Sequence, residues 1–428
     1  MHLQYNRKRI SLMKILMVSS YLPYPLFSGG QVRLYNLIKE LSSKHEITLI
    51  CEKRPQQTFD DIKEVEKICK KVITVDRRKQ WSLENIIKSA ASVHSFLVTG
   101  HTNPEMKQLI MDELIRETFD LIHVETFYVM QNLPMSLLQR QESIQKNVDS
   151  HFRGDDRKDG LPIVLVEHNI EYQVYKRYVD RAPAPLRPFL ALDVAKIKRE
   201  EEKFWQKATK VVAVSNDDKK IIEQAGIHPA IVANGVNIDA FFFKQKSETK
   251  VKKLLFIGDF KWLQNRDALK FIIEDIWPKI SLESTIKAQL WIVGRTIPDS
   301  IKALTDDPDV LFDEESSVKP TPEIFQEADI LLAPIRVGGG TSYKILESMS
   351  SGTPVVTMSL SADAIGAKES EQIMVGNSAE ELAAKTLQLL QNEKKYQKVA
   401  KGGRKLIEEK YSWQTIAKHL DQVYKEVA

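Results

Sequence analysis

Cysteine is almost absent from this chain, which has only two cysteines among its 428 residues. Cys51 and Cys69 are too few for a disulfide framework, and neither has partners at the spacing of a structural metal site. A small secreted domain held together by disulfides is therefore excluded. We expect the chain to work in a reducing cytoplasm.

Long apolar runs and a strong charge of one sign are also missing. No apolar stretch approaches the roughly 18 residues that a membrane-spanning helix needs. The basic residues 7–9 are followed by a run of strand length rather than by the core of a signal peptide, and Met13 is a second candidate for the start of translation. Because 62 basic residues face 58 acidic ones, the net charge is only +4, which argues against nucleic acid as a main partner.

Length and pattern predict two α/β domains. A chain of 428 residues with 43% hydrophobic content can bury two ordinary cores. Short apolar runs alternate with helical patterns, which predicts parallel sheets covered by helices on both faces. The expected strands are residues 14–20, 47–51, 72–75, 121–125, 163–167 and 211–214 in the first half, then 253–257, 289–293, 310–312, 330–332 and 354–357. The turn signal Asn234–Gly235 separates a domain over 13–235 from one over 250–410, and 411–428 form a C-terminal helix.

The most informative segment covers residues 330–347. A short apolar strand is followed by glycines at 338–340, and a helical pattern begins at about Thr341. Glycines let the backbone approach an anion closely, and the N-terminus of a helix attracts phosphate. Lys344 and Glu347 share one face of that helix, where they offer a positive charge to phosphate and acceptors to ribose hydroxyls. The segment therefore predicts a site for a nucleotide diphosphate.

Other interpretations of the three glycines remain open. A plain tight turn accounts for them equally well. The dinucleotide-binding fingerprint does not fit, because Gly338-x-Gly340 lacks a third glycine and an acidic residue about 20 positions on. The phosphate-loop pattern does not fit either, since no Gly-Lys-Ser/Thr closes the run.

Residues 330–356 resemble the donor-site signature of family 4 glycosyltransferases. Members show Gly-Gly-Thr, a lysine, Leu-Glu-Ala-Met and Gly-x-Pro-Val, which correspond here to 339–341, Lys344, 346–349 and 352–355. The resemblance implies the GT-B fold, an α/β fold in which two Rossmann-like domains face each other across a cleft. Residues 13–235 would then be the acceptor-side domain and 250–410 the donor domain, with the helix in 411–428 packing back on the first.

Motifs in the first half extend this resemblance. Gly29 and Gly30, after the first strand, resemble the acceptor-side Gly-Gly loop of the family, although the pair by itself favours a turn that opens a helix. His168 directly follows the strand 163–167, where α/β proteins place their sites. Within Glu-His-Asn it resembles the histidine of the family's catalytic cleft, and the alternative is a structural histidine.

A motif in the second half concerns the donor phosphates. Residues 256–265 resemble the pattern Phe-x-Gly-x-x-x-Trp/Tyr-x-Pro-Asn, with Gln264 in place of proline. The resemblance implies that Gly258 lets the backbone approach the donor phosphates and that Lys261 or Arg266 supplies charge. With these motifs it covers the chain from about residue 13 to residue 427.

The resemblance implies a retaining glycosyltransferase of the hexosyltransferase kind. It would move a sugar from a nucleotide-diphosphate sugar to a glycan or lipid-linked acceptor during polysaccharide or glycolipid assembly. Its implied catalytic residues are His168 and Lys344, and its donor-binding residues are Gly258, Lys261, Gly339, Gly340, Thr341 and Glu347. One residue departs from the pattern, since Gly339 stands eight positions before Glu347, where retaining members usually carry a second glutamate.

No cofactor is expected beside the nucleotide sugar, and no metal. The nearest match to a metal-binding Asp-x-Asp, residues 307–309, lies in a polar loop. Two rival functions stay open, a sugar-nucleotide epimerase of the same fold and a non-catalytic nucleotide-sugar-binding protein. Basic clusters such as residues 77–79 allow peripheral contact with an anionic membrane, so the expected location is the cytoplasm, including the inner face of the membrane.

Overall fold

The structure is a computed structural model that describes residues 12–80, 82–134, 136–138, 160–180, 182–244, 249–336 and 341–428. The described chain divides into two compact units. Unit 1 contains the described residues up to Val214, together with Asp218–Val232 and Ala417–Ala428. Unit 2 contains Ser215–Asp217 and Ala233–Ile416.

Unit 1 is built on a parallel sheet whose described strands follow the order β3-β2-β1-β4-β5-β6-β7. The strands are β1 (Lys14–Ser19), β2 (Glu46–Lys53), β3 (Lys71–Asp76), β4 (Leu121–Glu125), β5 (Ile163–Glu167), β6 (Lys210–Ala213) and β7 (Ala230–Ile231). Every residue of β4 and β5 is buried. β5 is apolar from Ile163 to Val166, as expected for a parallel strand that helices cover on both faces of the sheet.

Unit 2 repeats this topology. Its described strands pair in parallel in the order β10-β9-β8-β11-β12-β13. They are β8 (Lys252–Ile257), β9 (Ala288–Val293), β10 (Val310–Asp313), β11 (Ile330–Ala333), β12 (Val355–Thr357) and β13 (Met374–Val375). A core that includes Leu254, Phe256 and Leu332 forms on one face of this sheet.

Helices connect the strands in both units. Before residue 230 they are α1 (Gly29–Leu41), α2 (Phe59–Glu66), α3 (Leu83–Ala90), α4 (Phe96–His101), α5 (Pro104–Arg116), α6 (Glu171–Val179), α7 (Arg187–Lys207) and α8 (Asn216–Gln224). After it they are α9 (Leu263–Phe271), which runs into a π-helical segment (Ile272–Ile276), α10 (Trp277–Glu283), α11 (Asp299–Lys302), α12 (Thr321–Glu327), α13 (Tyr343–Ser350), α14 (Ser359–Ala364), α15 (Ala379–Gln391), α16 (Glu393–Lys410) and α17 (Trp413–Val427).

The predicted α/β class with parallel sheets is confirmed, and each predicted strand lies within two residues of an observed one. The edge strands β7 and β13 were not predicted, because two residues carry no pattern. Helix α7 begins at Arg187, and Pro188 is favourable in the first turn of a helix. Helix α13 begins at Tyr343, two residues after the predicted start.

Candidate functional site

Each sheet has one point at which its strand order reverses. In unit 1 the chain runs outward from β1 to β3 and then returns to β4 on the other side of β1, and in unit 2 the same happens between β8 and β11. Ligands of open α/β sheets bind beyond the carboxyl ends of the strands at such switch points. The residues that follow β1 and β4, and those that follow β8 and β11, are therefore the first candidates for a site.

The switch point of unit 2 contains the predicted residues Gly258 and Lys344. Gly258 follows β8 directly, and a Cβ atom there would lie 2.7 Å from Asn265 Nδ2. The absence of a side chain lets the Asn265 amide lie against this turn, where its Nδ2 donates to the carbonyl of Asp259 at 2.9 Å. Asn265 Oδ1 in turn accepts from Lys344 Nζ at 2.9 Å. One amide thus links the loop after β8 to the helix that follows β11.

Lys344 stands on α13 with its ammonium in protein rather than in water. Its Nζ lies 4.7 Å from the centroid of the Phe256 ring. Although the residue keeps some exposed surface, burial lowers the pKa of Lys344 to about 7, against an opposing influence of Glu347. Held away from water, its charge acts strongly on any anion that binds beside it.

Glu347 lies one turn further along α13. It keeps some exposed surface, and Thr321 Oγ1 donates to its Oε1 at 3.2 Å. Burial raises the pKa of Glu347 to about 7, while the hydrogen bond from Thr321 and the charge of Lys344 act in the opposite direction. An acidic acceptor and a basic donor with pKa values near neutrality therefore stand on one face of the same short helix.

The remaining donor-site predictions are placed as follows. Thr341 is buried, and its Oγ1 makes no hydrogen bond among the described residues. Lys261 is exposed, with its Nζ 3.2 Å from a carboxylate oxygen of Asp259. Gly339 and Gly340 lie outside the described residues.

In unit 1, His168 belongs to a chain of hydrogen bonds that begins at the switch point. Its Nε2 contacts Glu125 Oε2 at the end of β4. The other oxygen of Glu125 lies 2.8 Å from His123 Nε2, and His123 Nδ1 lies 2.6 Å from the hydroxyl of Tyr424 on α17. An ionised Glu125 accepts from both imidazoles, and Tyr424 then donates to the free nitrogen of His123. Among the described residues, the hydrogen-bond contacts of the His168 ring are made by Nε2 and not by Nδ1.

Electrostatics keep Glu125 ionised. Burial would raise the pKa of this carboxyl, but His168 and His123 outweigh burial and bring the pKa well below its usual value. An ionised carboxylate fixes the orientation of each ring that donates to it. Glu125 therefore fixes the orientation of the His168 ring by accepting from its Nε2.

Gly29 and Gly30 open helix α1. Ser28 caps that helix, since its side chain accepts from the backbone N–H of Gln31. A Cβ atom at Gly30 would lie 2.9 Å from the Tyr21 hydroxyl, which itself lies 3.4 Å from His168 Nε2. Gly30 thus leaves room for a tyrosine that lies beside the predicted catalytic histidine.

The described part of the chain contains no group of three His, Cys, Asp or Glu residues placed to hold a metal ion. Within the polar loop 307–309, Asp307 accepts from Trp277 Nε1 at 2.8 Å and from the backbone N–H of Asp309 at 2.9 Å. These contacts hold a turn together.

Sequence patterns missed three residues of these two sites. Asn265 lies inside a motif that was noticed, but nothing in the sequence showed that it binds Lys344. Glu125 ends a predicted strand next to His123, and that position at the carboxyl end of a buried strand was an available signal. Tyr424 gave no signal, because its partner His123 is 301 positions away.

Two family models match the chain. The model of the family described as Glycosyltransferase Family 4 matches residues 27–240, and that described as Glycosyl transferases group 1 matches residues 251–392. A comparison with curated protein sequences finds no match.

Solved structures share the fold at low sequence identity. Sucrose-phosphate synthase from Thermosynechococcus elongatus is 13% identical with a TM-score of 0.64, covering 96% of this chain and 98% of that one. Anabaena HepE in complex with UDP and glucose is 14% identical with a TM-score of 0.58, covering 97% and 100%. WaaG, a glycosyltransferase involved in lipopolysaccharide biosynthesis, is 13% identical with a TM-score of 0.58, covering 96% and 99%. The chain has the GT-B fold and belongs to glycosyltransferase family 4.

Proposed function

We propose that this glycosyltransferase transfers a sugar, with retention of the anomeric configuration, from a nucleotide-diphosphate sugar to a glycan or lipid-linked acceptor in polysaccharide or glycolipid assembly. The observation that carries the donor class is the placement of Lys344 and Glu347 on one helix at the switch point of unit 2. The fold neighbour HepE was crystallised with UDP and glucose, which supports a nucleotide sugar as donor.

The chemistry to be accelerated is the departure of a nucleoside diphosphate from the anomeric carbon. Negative charge grows on the diphosphate as the bond breaks, so groups fixed in place beforehand stabilise the transition state most. In this proposal Lys344 faces the leaving phosphate, held by Asn265 and by the ring of Phe256. The buried hydroxyl of Thr341, close to the start of α13, adds a donor.

Glu347 is proposed to bind the ribose of the donor. Replacing it with alanine should weaken nucleoside-diphosphate binding about 10- to 150-fold, because charge-assisted hydrogen bonds worth about 1.5–3 kcal/mol are lost. Isothermal titration calorimetry measures this. The matched control is Glu323→Ala, which removes an exposed carboxylate on the neighbouring helix α12 and should leave affinity unchanged. Equal affinities of Glu347→Ala and the wild type would show that Glu347 does not bind the ribose.

The reaction is proposed to need no metal, because Lys344 and the start of α13 take the place of a cation at the diphosphate. Transfer should therefore keep its full rate after exhaustive treatment with EDTA, measured as nucleoside-diphosphate release. Loss of activity that Mg²⁺ or Mn²⁺ restores would contradict this proposal.

His168 is proposed to contact the transferred sugar or the donor phosphate. Position 339 is a glycine rather than the second glutamate of the family pattern. We therefore propose that the acceptor attacks the anomeric carbon from the face that the leaving group occupies, without a protein nucleophile. Retention itself is measurable, since the anomer of the product can be assigned by NMR.

Glu125 is proposed as the positioning residue for His168. Gln at this place cannot accept from both imidazoles, so Glu125→Gln should lower the transfer rate about 10- to 100-fold through a misplaced ring. Nucleoside-diphosphate affinity should not change. Tyr424→Phe serves as the control, because it removes only the last hydrogen bond of the series, the one to His123. It should lower the transfer rate by less than about fivefold. A Glu125→Gln enzyme that melts at the wild-type temperature and keeps its rate would contradict the assignment.

The donor is best identified by thermal shift with a panel of nucleotide sugars. A ligand at 100 times its dissociation constant stabilises the folded protein by about 2.7 kcal/mol, so the true donor should raise the melting temperature more than the other nucleotide sugars do. No shift with any nucleotide sugar or nucleoside diphosphate would contradict the proposed site.

We propose the cytoplasm as the place of this reaction. Cys51 and Cys69 are both free thiols, as a reducing compartment would keep them. None of the helices in the described ranges has the length and apolar character to cross a bilayer.

A further inference from the structure

One face of helix α7 contacts the chain on both sides of His168. Glu201 and Trp205 lie four positions apart on this helix, so they share a face, and both side chains are buried. Glu167, the last residue of β5, comes directly before His168, and α6 begins at Glu171. His168 therefore lies in a very short connection between a strand and a helix.

Trp205 binds the residue that precedes His168. Its indole Nε1 donates to Glu167 Oε1 at 3.0 Å, and the Glu167 side chain is buried. Burial raises the pKa of Glu167 well above its usual value, and the nearby Glu201 carboxyl adds to this effect. Because a buried carboxyl oxygen without a donor is costly, the indole hydrogen bond fastens the end of β5 to α7.

Glu201 binds the chain that follows His168. Its two carboxyl oxygens accept from the backbone N–H groups of Glu171 and Tyr172, at 2.8 and 3.1 Å. These residues are the first two of α6, and their N–H groups have no partner within that helix. Ile170, in the N-cap position, has no side-chain oxygen to offer them. Glu201 therefore caps α6 from a different helix and fixes where α6 begins.

We propose that Glu201 and Trp205 are positioning residues for sugar transfer, because they hold the connection that carries His168 from both sides. This inference rests on the proposed role of His168 in transfer. Glu125 fixes the imidazole at its Nε2, whereas α7 fixes the backbone from which the imidazole projects. A displacement of about 1 Å can lower a rate about 100-fold, so the position of this backbone matters as much as the orientation of the ring.

Glu201→Gln tests this role, because an amide has one acceptor oxygen where the carboxyl has two. The amide NH2 would face a backbone N–H of α6, so the start of that helix should move. The rate constant of transfer should fall about 10- to 100-fold, while nucleoside-diphosphate affinity stays within about twofold of the wild type. Trp205→Phe keeps an aromatic ring but loses the N–H donor, and it should lower the rate constant about threefold to tenfold.

Glu200→Gln is the matched control. Glu200 is the preceding residue of α7 and is also buried, and its two oxygens lie 2.7 Å from His94 Nδ1 and 3.0 Å from the backbone nitrogen of Ser95. Ser95 caps α4, so Glu200 also holds the start of a helix, but one that does not follow His168 in the chain. Glu200→Gln should lower the melting temperature about as much as Glu201→Gln does and should keep the wild-type rate of transfer.

NMR of the full chain with 15N-labelled histidine observes the position of His168 without any sugar donor. The His168 ring signals are assigned by their loss in His168→Ala. They should shift or broaden in Glu201→Gln and keep their wild-type positions in Glu200→Gln. Positioning is overturned if they stay unchanged in Glu201→Gln, or if Glu200→Gln moves them equally. Signals that move in Glu201→Gln without a loss of rate would confirm that α7 holds His168, but they would contradict the proposed role of that histidine in transfer.

Discussion

His168→Ala should lower sugar transfer about 100- to 1,000-fold while leaving nucleoside-diphosphate binding nearly unchanged. The reason is that the residues proposed to act in transfer and those proposed to bind the nucleotide are different. We propose that His168, which lies in unit 1 beside Glu125, contacts the transferred sugar or the donor phosphate, whereas Lys344 and Glu347 of unit 2 are proposed to bind the leaving diphosphate and the ribose. Steady-state rates measure the first effect, and calorimetry with the nucleoside diphosphate measures the second.

An exposed histidine of the same unit provides the control. His228 is exposed, and His228→Ala should keep the wild-type rate. If His168→Ala instead loses nucleotide affinity and transfer rate by the same factor, His168 acts as a general anchor of the donor. If both properties stay at the wild-type level, His168 has only a structural role.

Lys344→Met should show the second large effect. The rate constant of transfer should fall about 100- to 1,000-fold, because the leaving diphosphate loses a fixed positive charge at the moment its own charge grows. Affinity for the nucleoside diphosphate should fall by no more than about tenfold. The control is Lys270→Met, which removes an exposed lysine of α9 and should change neither quantity.

Lys344→Met should also change how the stability of the protein depends on pH. Burial lowers the pKa of Lys344 from 10.5 to about 7, so between these values the unfolded chain binds more protons than the folded one. Wild-type stability must therefore rise with pH across this window through Lys344. Relative to the wild type, Lys344→Met should be at least as stable near pH 7, and its advantage should shrink toward pH 10.5. Urea unfolding at several pH values measures this difference. An advantage that grows with pH would contradict the burial of the ammonium.

Strands that are buried apolar runs were predictable from the sequence. Residues 163–167 and 330–333 are entirely buried, so composition alone located them. The two-residue strands β7 and β13 form only because a neighbouring strand pairs with them, and no local pattern records that pairing. Thr58 and Ser28 cap the helices that follow them, and capping residues of this kind are a sequence signal of a helix start.

The candidate sites were predictable where a single segment carries the chemistry. Lys344 and Glu347 lie three positions apart on one helix, and their proposed roles rest on that spacing. The residues that contact Lys344 and His168 could not be predicted from a local pattern. Asn265 lies 79 positions from Lys344, and Glu125 lies 43 positions from His168. These residues come together only in the folded sheets, where β8 lies beside β11 and β4 lies beside β5, with their carboxyl ends at the same edge.

The central claim is that this chain breaks the bond between a sugar and a nucleoside diphosphate with the residues of these two sites. The most direct measurement is nucleoside-diphosphate release from a panel of nucleotide sugars, with the sugar product followed by NMR. We predict release from a restricted set of donors, with retained configuration, and a loss of at least about 100-fold in both His168→Ala and Lys344→Met. Conversion of a nucleotide sugar to its epimer without release, or release that is unaffected by both substitutions, would contradict the account.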